Sequence, residues 1–390
     1  MPLQRNASSI AGTIKNRPSD FVVDEIPLYE SCGDGEHLYI GVQKTNVSHE
    51  ELIRSIAHEY GVKRGAIGYA GRKDLHAVTS QVLSVHHPSL TPVIPHHIGR
   101  IEIQWCSRHS NKLRLGHLVG NRFTIRIRGV DHVHVPLIQQ RLQQLSKLGL
   151  PNAFGPQRFG IFRNNHKLGL ALVMEDWDQL IEQLLMGEDV HHKYAKEGDY
   201  QRAFDAWSFG QPSERNVLEL LAKGKSPRQA CMRISKSMRK LWVNALQSKL
   251  FNAGLAIRIK KGTWDKLLLG DLAWNHKGGG RTFLVSEVDI DSEDLQLRVA
   301  SIDVSPSGPM WSAKMRRPTG DVLQHEIEVL ESFELDELFI KKMRLHVEGT
   351  RRPLRVPVMN SAITDGIDDH GQFVEVQFEL PAGSYATVVI

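Results

Sequence analysis

The clearest hydrophobic rhythm in the chain lies at residues 373–380, where Val374, Val376, Phe378 and Leu380 take every second place between polar residues. That period predicts a strand with one buried face. Phe123, Ile125 and Ile127 alternate with Thr124, Arg126 and Arg128 in the same way, giving a strand with one apolar and one cationic face. Residues 78–85 alternate too, and residues 10–26 read as a short strand, a turn at Pro18 and a second strand. Helical spacing takes over at Leu52, Ile53, Ile56, Ala57 and Tyr60. Ser48 and Glu51 form a capping box ahead of it and Gly61 is placed to end it. A second helix is expected at 137–148, with Gly149 as its stop.

From about Gly160 the rhythm turns mainly helical. Leu170, Met174, Trp177, Ile181, Leu184 and Leu185 predict a helix over 166–186, and Ser213 is read as the cap of another carrying Val217, Leu220 and Leu221. A long helix is expected at 232–252, with Trp242, Ala245, Leu246 and Leu250 inward and Gly254 just past its end. Strands are expected at 282–288 and 295–299.

With 390 residues, 41% hydrophobic and 24% charged, the chain has room for two domains with sizeable cores. The net charge of +5 points to an anionic partner only where the cations cluster. They do so over 107–128, where Arg108, His109, Lys112, Arg114, His117, Arg122, Arg126 and Arg128 are interrupted by no carboxylate. Such a face is the footprint expected of phosphate contacts, or else a solvated surface. Cys32, Cys106 and Cys231 are far apart, which predicts neither a disulfide framework nor a zinc site. The adjacent histidines His86-His87, His96-His97 and His191-His192 would point to opposite faces of a strand, so no metal site is expected. Gly278-Gly279-Gly280-Arg281 lacks the Lys-Ser/Thr of a phosphate loop, and there is no G-x-S-x-G nucleophile elbow. With neither an apolar leader nor an apolar run of 18 residues, the expected location is the cytoplasm, with no membrane association.

The stretch that orders the rest is Ile67-Gly68-Tyr69-Ala70-Gly71-Arg72-Lys73-Asp74-Leu75-His76-Ala77-Val78-Thr79-Ser80-Gln81. Gly68 and Gly71 permit a tight backbone path, and Arg72 and Lys73 set cations beside the carboxylate of Asp74. On its residues alone Asp74 is a displayed catalytic group or an ordinary turn former.

The stretch closely resembles the signature of the TruD family of tRNA pseudouridine synthases, roughly G-x-A-G-x-K-D-x-x-A-V-T-x-Q. Further pieces agree: Lys15-x-x-Pro18-x-Asp20-Phe21-Val22-Val23-x-Glu25, the Lys112-Leu-Arg-Leu-Gly116 and Gly120-Asn121-x-Phe123 segments, Pro151-Asn152-Ala153-Phe154-Gly155-Pro156-Gln157-Arg158-Phe159-Gly160, and the closing Pro381-Ala382-Gly383-Ser384-Tyr385-Ala386-Thr387. The resemblance implies an α/β (α+β) fold. Its pseudouridine-synthase catalytic domain would have a largely antiparallel sheet flanked by helices, spanning 1–159 and 356–390, with an inserted TruD-specific α/β domain at 160–355.

The implied activity is isomerisation of uridine to pseudouridine at position 13 of tRNA, with Asp74 as the catalytic carboxylate. Phe21, Asn121, Phe123 and Tyr385 are implied to bind the substrate nucleotide, with Lys15 and Lys73 in support. Gln157 and Arg158 would reach RNA backbone or order the site. The reaction breaks the C1′–N1 bond and remakes it as C1′–C5 with nothing oxidised or added, so no cofactor is expected. The ionised carboxylate would act as nucleophile or as the base that starts glycal formation. The expected partner is tRNA and the expected state a monomer. An inert RNA-binding module on this scaffold would lack Asp74 or Lys73, and both are present. A different, cofactor-dependent uridine-modifying enzyme would want a nucleotide-binding fingerprint, and none is seen.

Overall fold

The computed structural model describes residues 10–86, 94–207 and 212–390; His87 and residues 1–9 lie outside them. The chain divides into two units. One is Pro151–Arg355, and the other joins the described residues up to Leu150 with Val356–Ile390.

The first part of the chain lays down β1 (Phe21–Pro27), β2 (His37–Thr45), α1 (His49–Glu59), β3 (Ile67–Tyr69), β4 (Val78–His86), β5 (His96–Ile98), β6 (Ile101–His109), β7 (Leu118–Arg128), α2 (Val135–Leu148) and the short β8 (Leu150–Pro151). Ser48 caps α1 by accepting from the Glu51 N–H at 3.1 Å, and Gly61 follows it in the left-handed region. Leu52, Ile53, Ile56 and Ala57 give α1 its buried stripe against Leu38, Ile40, Leu83 and Ile103 of the sheet. α2 ends at Gly149, at φ +85°.

The second unit begins with helices: α3 (Asn165–Met174), α4 (Trp177–Leu184), α5 (Val190–Lys196), α6 (Tyr200–Asp205), α7 (Pro212–Ala222), α8 (Pro227–Cys231) and the long α9 (Lys236–Lys260). It continues with β9 (Leu272–Asn275), β10 (Arg281–Leu284), α10 (Glu287–Ile290), α11 (Glu293–Ala300), β11 (Val304–Met310), α12 (Gly320–Glu331), α13 (Glu337–Met343) and β12 (Thr350–Pro353). Leu168, Leu172, Trp242, Leu246, Trp311 and Phe339 meet in its main core, beside an antiparallel sheet in the order β10-β9-β11-β12. Two arginines are buried here with carboxylate partners. Arg258 is bidentate on Asp271 at 3.1 and 2.9 Å, and Arg351 on Glu326 at 2.9 and 2.6 Å.

Several expectations for this unit are corrected. The single helix over 166–186 breaks at Glu175, which turns left-handed, and restarts as α4 beneath Asp176, whose carboxylate accepts from the Gln179 N–H. Ser213 lies inside α7 rather than capping it. The long helix starts after Ser235, which accepts from the Met238 N–H, and runs through Gly254 to Lys260. Residues 295–299 are helical, in α11. Ser292 caps that helix, and Leu295 is buried while Leu297 is 70% exposed, so their alternation was no strand face. The strand expected at 282–288 ends at Leu284, and α10 follows. His191 and His192 stand on α5, so the opposite-faces argument fails there. Their rings are 4.0 Å apart and, with Asp189, their ligand atoms lie within 4.8 Å of one another.

After β13 (Arg355–Val356) the chain re-enters the first unit with β14 (Met359–Asp368) and β15 (Gly371–Pro381). Nine of the described strands form one large sheet in the order β14-β15-β7-β1-β4-β2-β6-β5, with β3 on β4; β1 and β4 run parallel and the other pairs antiparallel. Val374, Val376, Phe378 and Leu380 are all buried, packed with Phe21, Phe123 and Ile125. The N-terminal, middle and C-terminal motif segments therefore share adjacent strands. Among the described residues no helix is long and apolar enough to cross a membrane.

Candidate active site

Asp74 sits in residues 70–77, a stretch with neither helix nor strand that joins β3 to β4. The turn is held at its entry by Gly68, where a Cβ would fall 2.2 Å from the Leu113 carbonyl oxygen and 2.4 Å from Ser84 Oγ, so glycine is required. Gly71 is different: a Cβ there would make ordinary contacts of 3.5 Å or more. At the ends of the stretch the Ala70 carbonyl accepts from the Gly116 N–H at 2.9 Å and the Ala77 carbonyl from the Asn46 N–H at 3.3 Å.

The Asp74 side chain is half exposed at 52%, and its Oδ2 accepts from Lys15 Nζ at 3.1 Å. Lys15 reaches it from a backbone at φ +61°, a region that costs a side-chain-bearing residue about 1 kcal/mol or more and that persists where surroundings enforce it. The same ammonium lies 4.0 Å from the centroid of the Phe21 ring. Phe21 in turn meets Phe123 edge-on at 6.3 Å, and Phe123 stacks on Phe378 at 5.5 Å. Phe21 and Phe123 are only 2% and 7% exposed, so they wall the site from within the core and offer no open stacking face in this state.

Lys73 points the other way. Its ammonium is buried in an ion pair with Glu25 at 2.7 Å and donates to Asn121 Oδ1 at 2.6 Å; the other Glu25 oxygen accepts from the Val82 N–H. With Oδ1 committed to Lys73, Asn121 keeps its amide N–H groups for another partner. Asn121 lies opposite Glu25 on one side and Leu380 on the other. Tyr385 follows just beyond the end of β15, half-buried, at the sheet end where Pro381 pairs with Gly120. The fold thus links Lys15, Phe21, Lys73, Asp74 and Asn121 in one contiguous group and joins Phe123 through Phe21, while Tyr385 follows the β15 end next to Asn121, away from the Phe21 end of β1.

The cationic face of β7 does not stand free. Arg122 pairs with Glu379 at 2.8 Å and Arg126 with Glu375 at 2.8 Å, each directly across the β7–β15 ladder. Arg128 is bidentate on both Asp20 and Asp368. Its guanidinium and the nearby His370 N–H hold the Asp368 carboxyl well below the usual carboxylate range. The strand face expected to contact phosphate is thus engaged in cross-strand ion pairs. Earlier in the same cationic run, His117 is bonded to the Tyr29 hydroxyl at 2.7 Å, and His109 stacks on Tyr29.

A family model described as tRNA pseudouridine synthase D (TruD) matches residues 3–390. The chain belongs to the TruD family. It is 34% identical to a tRNA pseudouridine synthase D of Syntrophotalea carbinolica, over 98% of this chain and 95% of that one. With the protein of that name from Geobacter metallireducens the identity is 36%, over 97% and 94%. The fold matches a crystal structure from Methanosarcina mazei, described as a TruD protein, with a TM-score of 0.81 at 22% identity, covering 98% of this chain and 93% of that one.

Within this TruD fold, one residue of the site escaped the sequence reading and another went without a role. Glu25, quoted in the N-terminal motif, fixes Lys73. Lys44 lies fully buried with its Nζ 2.7 Å from the Asp74 carbonyl oxygen and 2.8 Å from that of Val47. A signal for Lys44 existed: it falls on the same side of β2 as Leu38, Ile40 and Val42, where the period demands an apolar residue.

Proposed function

We propose that this TruD-family tRNA pseudouridine synthase isomerises the uridine at position 13 of tRNA, with Asp74 as its catalytic carboxylate. The observation that carries the assignment is the half-exposed Asp74 carboxylate held by Lys15 at 3.1 Å, in the loop that bears the family signature. Lys15 sets a positive charge beside that carboxylate. An ionised carboxylate serves either route, attack on the nucleotide or removal of the proton that starts glycal formation.

The target uridine must leave its stack to expose C5 and the glycosidic bond. In this reading the Asn121 amide donates to a carbonyl of the flipped base, and Tyr385 closes over it. Phe123 and Phe21 back the pocket; Lys15 covers the Phe21 ring, on the side from which the base enters. Lys73, clamped by Glu25, keeps Asn121 turned. No cofactor is assigned, and the protein works as a monomer on tRNA in the cytoplasm. The two units are the catalytic domain, split in sequence, and the TruD insertion.

The test is incubation with unmodified tRNA and mapping of pseudouridine at single-nucleotide resolution, beside Asp74→Asn. Conversion at position 13 by the wild type alone is expected. Conversion elsewhere would overturn the assigned position, and conversion by the well-folded variant would overturn Asp74.

A further inference from the structure

We propose that Lys44 is a positioning residue for the reaction, its buried ammonium anchoring the Asp74 main chain from beneath so that the carboxylate is presented to Lys15 and substrate. The inference rests on Asp74 being the catalytic carboxylate. Residues 70–77 have no ladder or helix of their own, and the tethers at Ala70 and Ala77 leave the centre of the stretch to be fixed by other means. Lys44 supplies that at Asp74 itself, at 2.7 Å, while its second bond at 2.8 Å ties the same ammonium to Val47, in the turn leading to α1. Charge-assisted bonds of this kind are roughly twice as strong as neutral ones.

Packing alone does not account for a lysine here. The position is wholly enclosed, on the register of Leu38, Ile40 and Val42, and both acceptors are uncharged carbonyls. Methionine would fill much of the same space without taking a charge out of water. The charged groups facing the ammonium are the Asp74 carboxylate, Glu51 of α1 and the like-charged Lys73. His49, at the start of α1, is kept neutral by burial and by nearby cations, Lys44 among them, which push its imidazole down to about 4. Burial outweighs the favourable carboxylates and lowers the Lys44 ammonium to about 8. Raising the pH through that value discharges the anchor.

The experiment is single-turnover conversion of unmodified tRNA, enzyme in excess, from pH 6.5 to 9, on wild type, Lys44→Met, Lys44→Arg and Asp74→Asn, with tRNA binding and thermal melts alongside. Lys44→Met should slow conversion by about thirtyfold, the scale of a small misplacement of a reacting group, and change tRNA affinity by less than about twofold. The wild-type rate should fall as pH rises through about 8. Lys44→Met should lack that fall, and Lys44→Arg, charged throughout, should recover part of the rate and stay flat. A Lys44→Met enzyme with the wild-type rate and the same alkaline fall overturns the proposal. Should Lys44→Met not fold, an alkaline fall near 8 persisting in Lys44→Arg overturns it instead. Activity in Asp74→Asn would remove the underlying reading. An inactive Asp74→Asn beside an unimpaired Lys44→Met removes only the role given to Lys44.

Discussion

Two groups of cations in the unit that bears Asp74 are put to opposite uses. On β7, Arg122, Arg126 and Arg128 face Asp20, Asp368, Glu375 and Glu379, so three guanidiniums are matched by four carboxylates. Around the Asp74 loop, Lys15 pairs with the Asp74 carboxylate, Lys73 with Glu25, and Lys44 donates to the Asp74 main chain with Glu51 facing it. The arginines are planar forks spent on cross-strand pairing. The lysines are point charges, each donating to a loop residue or belonging to the loop, so they hold the Asp74 stretch rather than a ladder. A run of basic residues in sequence therefore says little about binding until their partners are known.

The sharpest way to break this contrast is Asp74→Asn. It should cut single-turnover conversion about a thousandfold or more, within the range that general acid–base and nucleophilic groups supply, with folding and tRNA affinity nearly unchanged. A tenth of the wild-type rate in a folded variant would make Asp74 a turn former.

Next in size is Arg128→Met. Asp20 is completely buried beneath that guanidinium, and stranding its charge should cost about 3 kcal/mol of unfolding free energy, read by urea denaturation of the whole chain. The acid side sharpens it. Arg128 depresses the folded-state Asp368 carboxyl, so that stabilisation is complete above about pH 4, the unfolded carboxylate range, and is lost as pH falls through the lower folded value. Wild type should lose stability over that interval more steeply than Arg128→Met. Equal stabilities at neutral pH would mean the arginine face is not structural.

Lys15→Met should slow conversion by roughly tenfold, less in high salt, because the pair it breaks is partly exposed and screened. A rate unchanged at every salt concentration would detach Lys15 from the chemistry.

The smallest effect is expected from Arg122→Ala. A residue that contacts phosphate lowers the slope of log affinity against log salt by about 0.7 to 0.9 when removed. With Arg122 already paired to Glu379, the slope should move by less than about 0.2 and affinity by less than about twofold. A slope change near one would restore the phosphate-binding reading.

How far the sequence went follows the range of the interactions involved. The β15 alternation, the Ser48 cap and Gly149 were legible because each is a local pattern with one mechanical meaning. The motif residues were legible because their spacing survives as a signature, and the β1-β7-β15 order then gathers most of them. The strand misread at 295–299 shows the limit of a five-residue alternation: the cap at Ser292, with Glu293 and Asp294 in the first turn, carried the stronger information. The partners of the β7 arginines were not legible because Glu375 and Glu379 enter their ladder from the far end of the chain, a register no local pattern reports. Lys44 was passed over because no strand was read at 37–45, and without it the polar residue in register with Leu38, Ile40 and Val42 does not stand out.

The position of β15 in the chain also sets an order of events during synthesis. β7 is complete at Arg128, yet the strand that closes its free side begins only at Gly371, after the whole of Pro151–Arg355 has been made. At ordinary elongation rates that interval is on the order of ten to fifty seconds. Throughout it β7 is an open edge carrying three arginines without their C-terminal partners, and charged side chains on an open edge discourage pairing with a neighbouring chain. The same guanidiniums that later lock the sheet are the charges β7 presents while that edge is open.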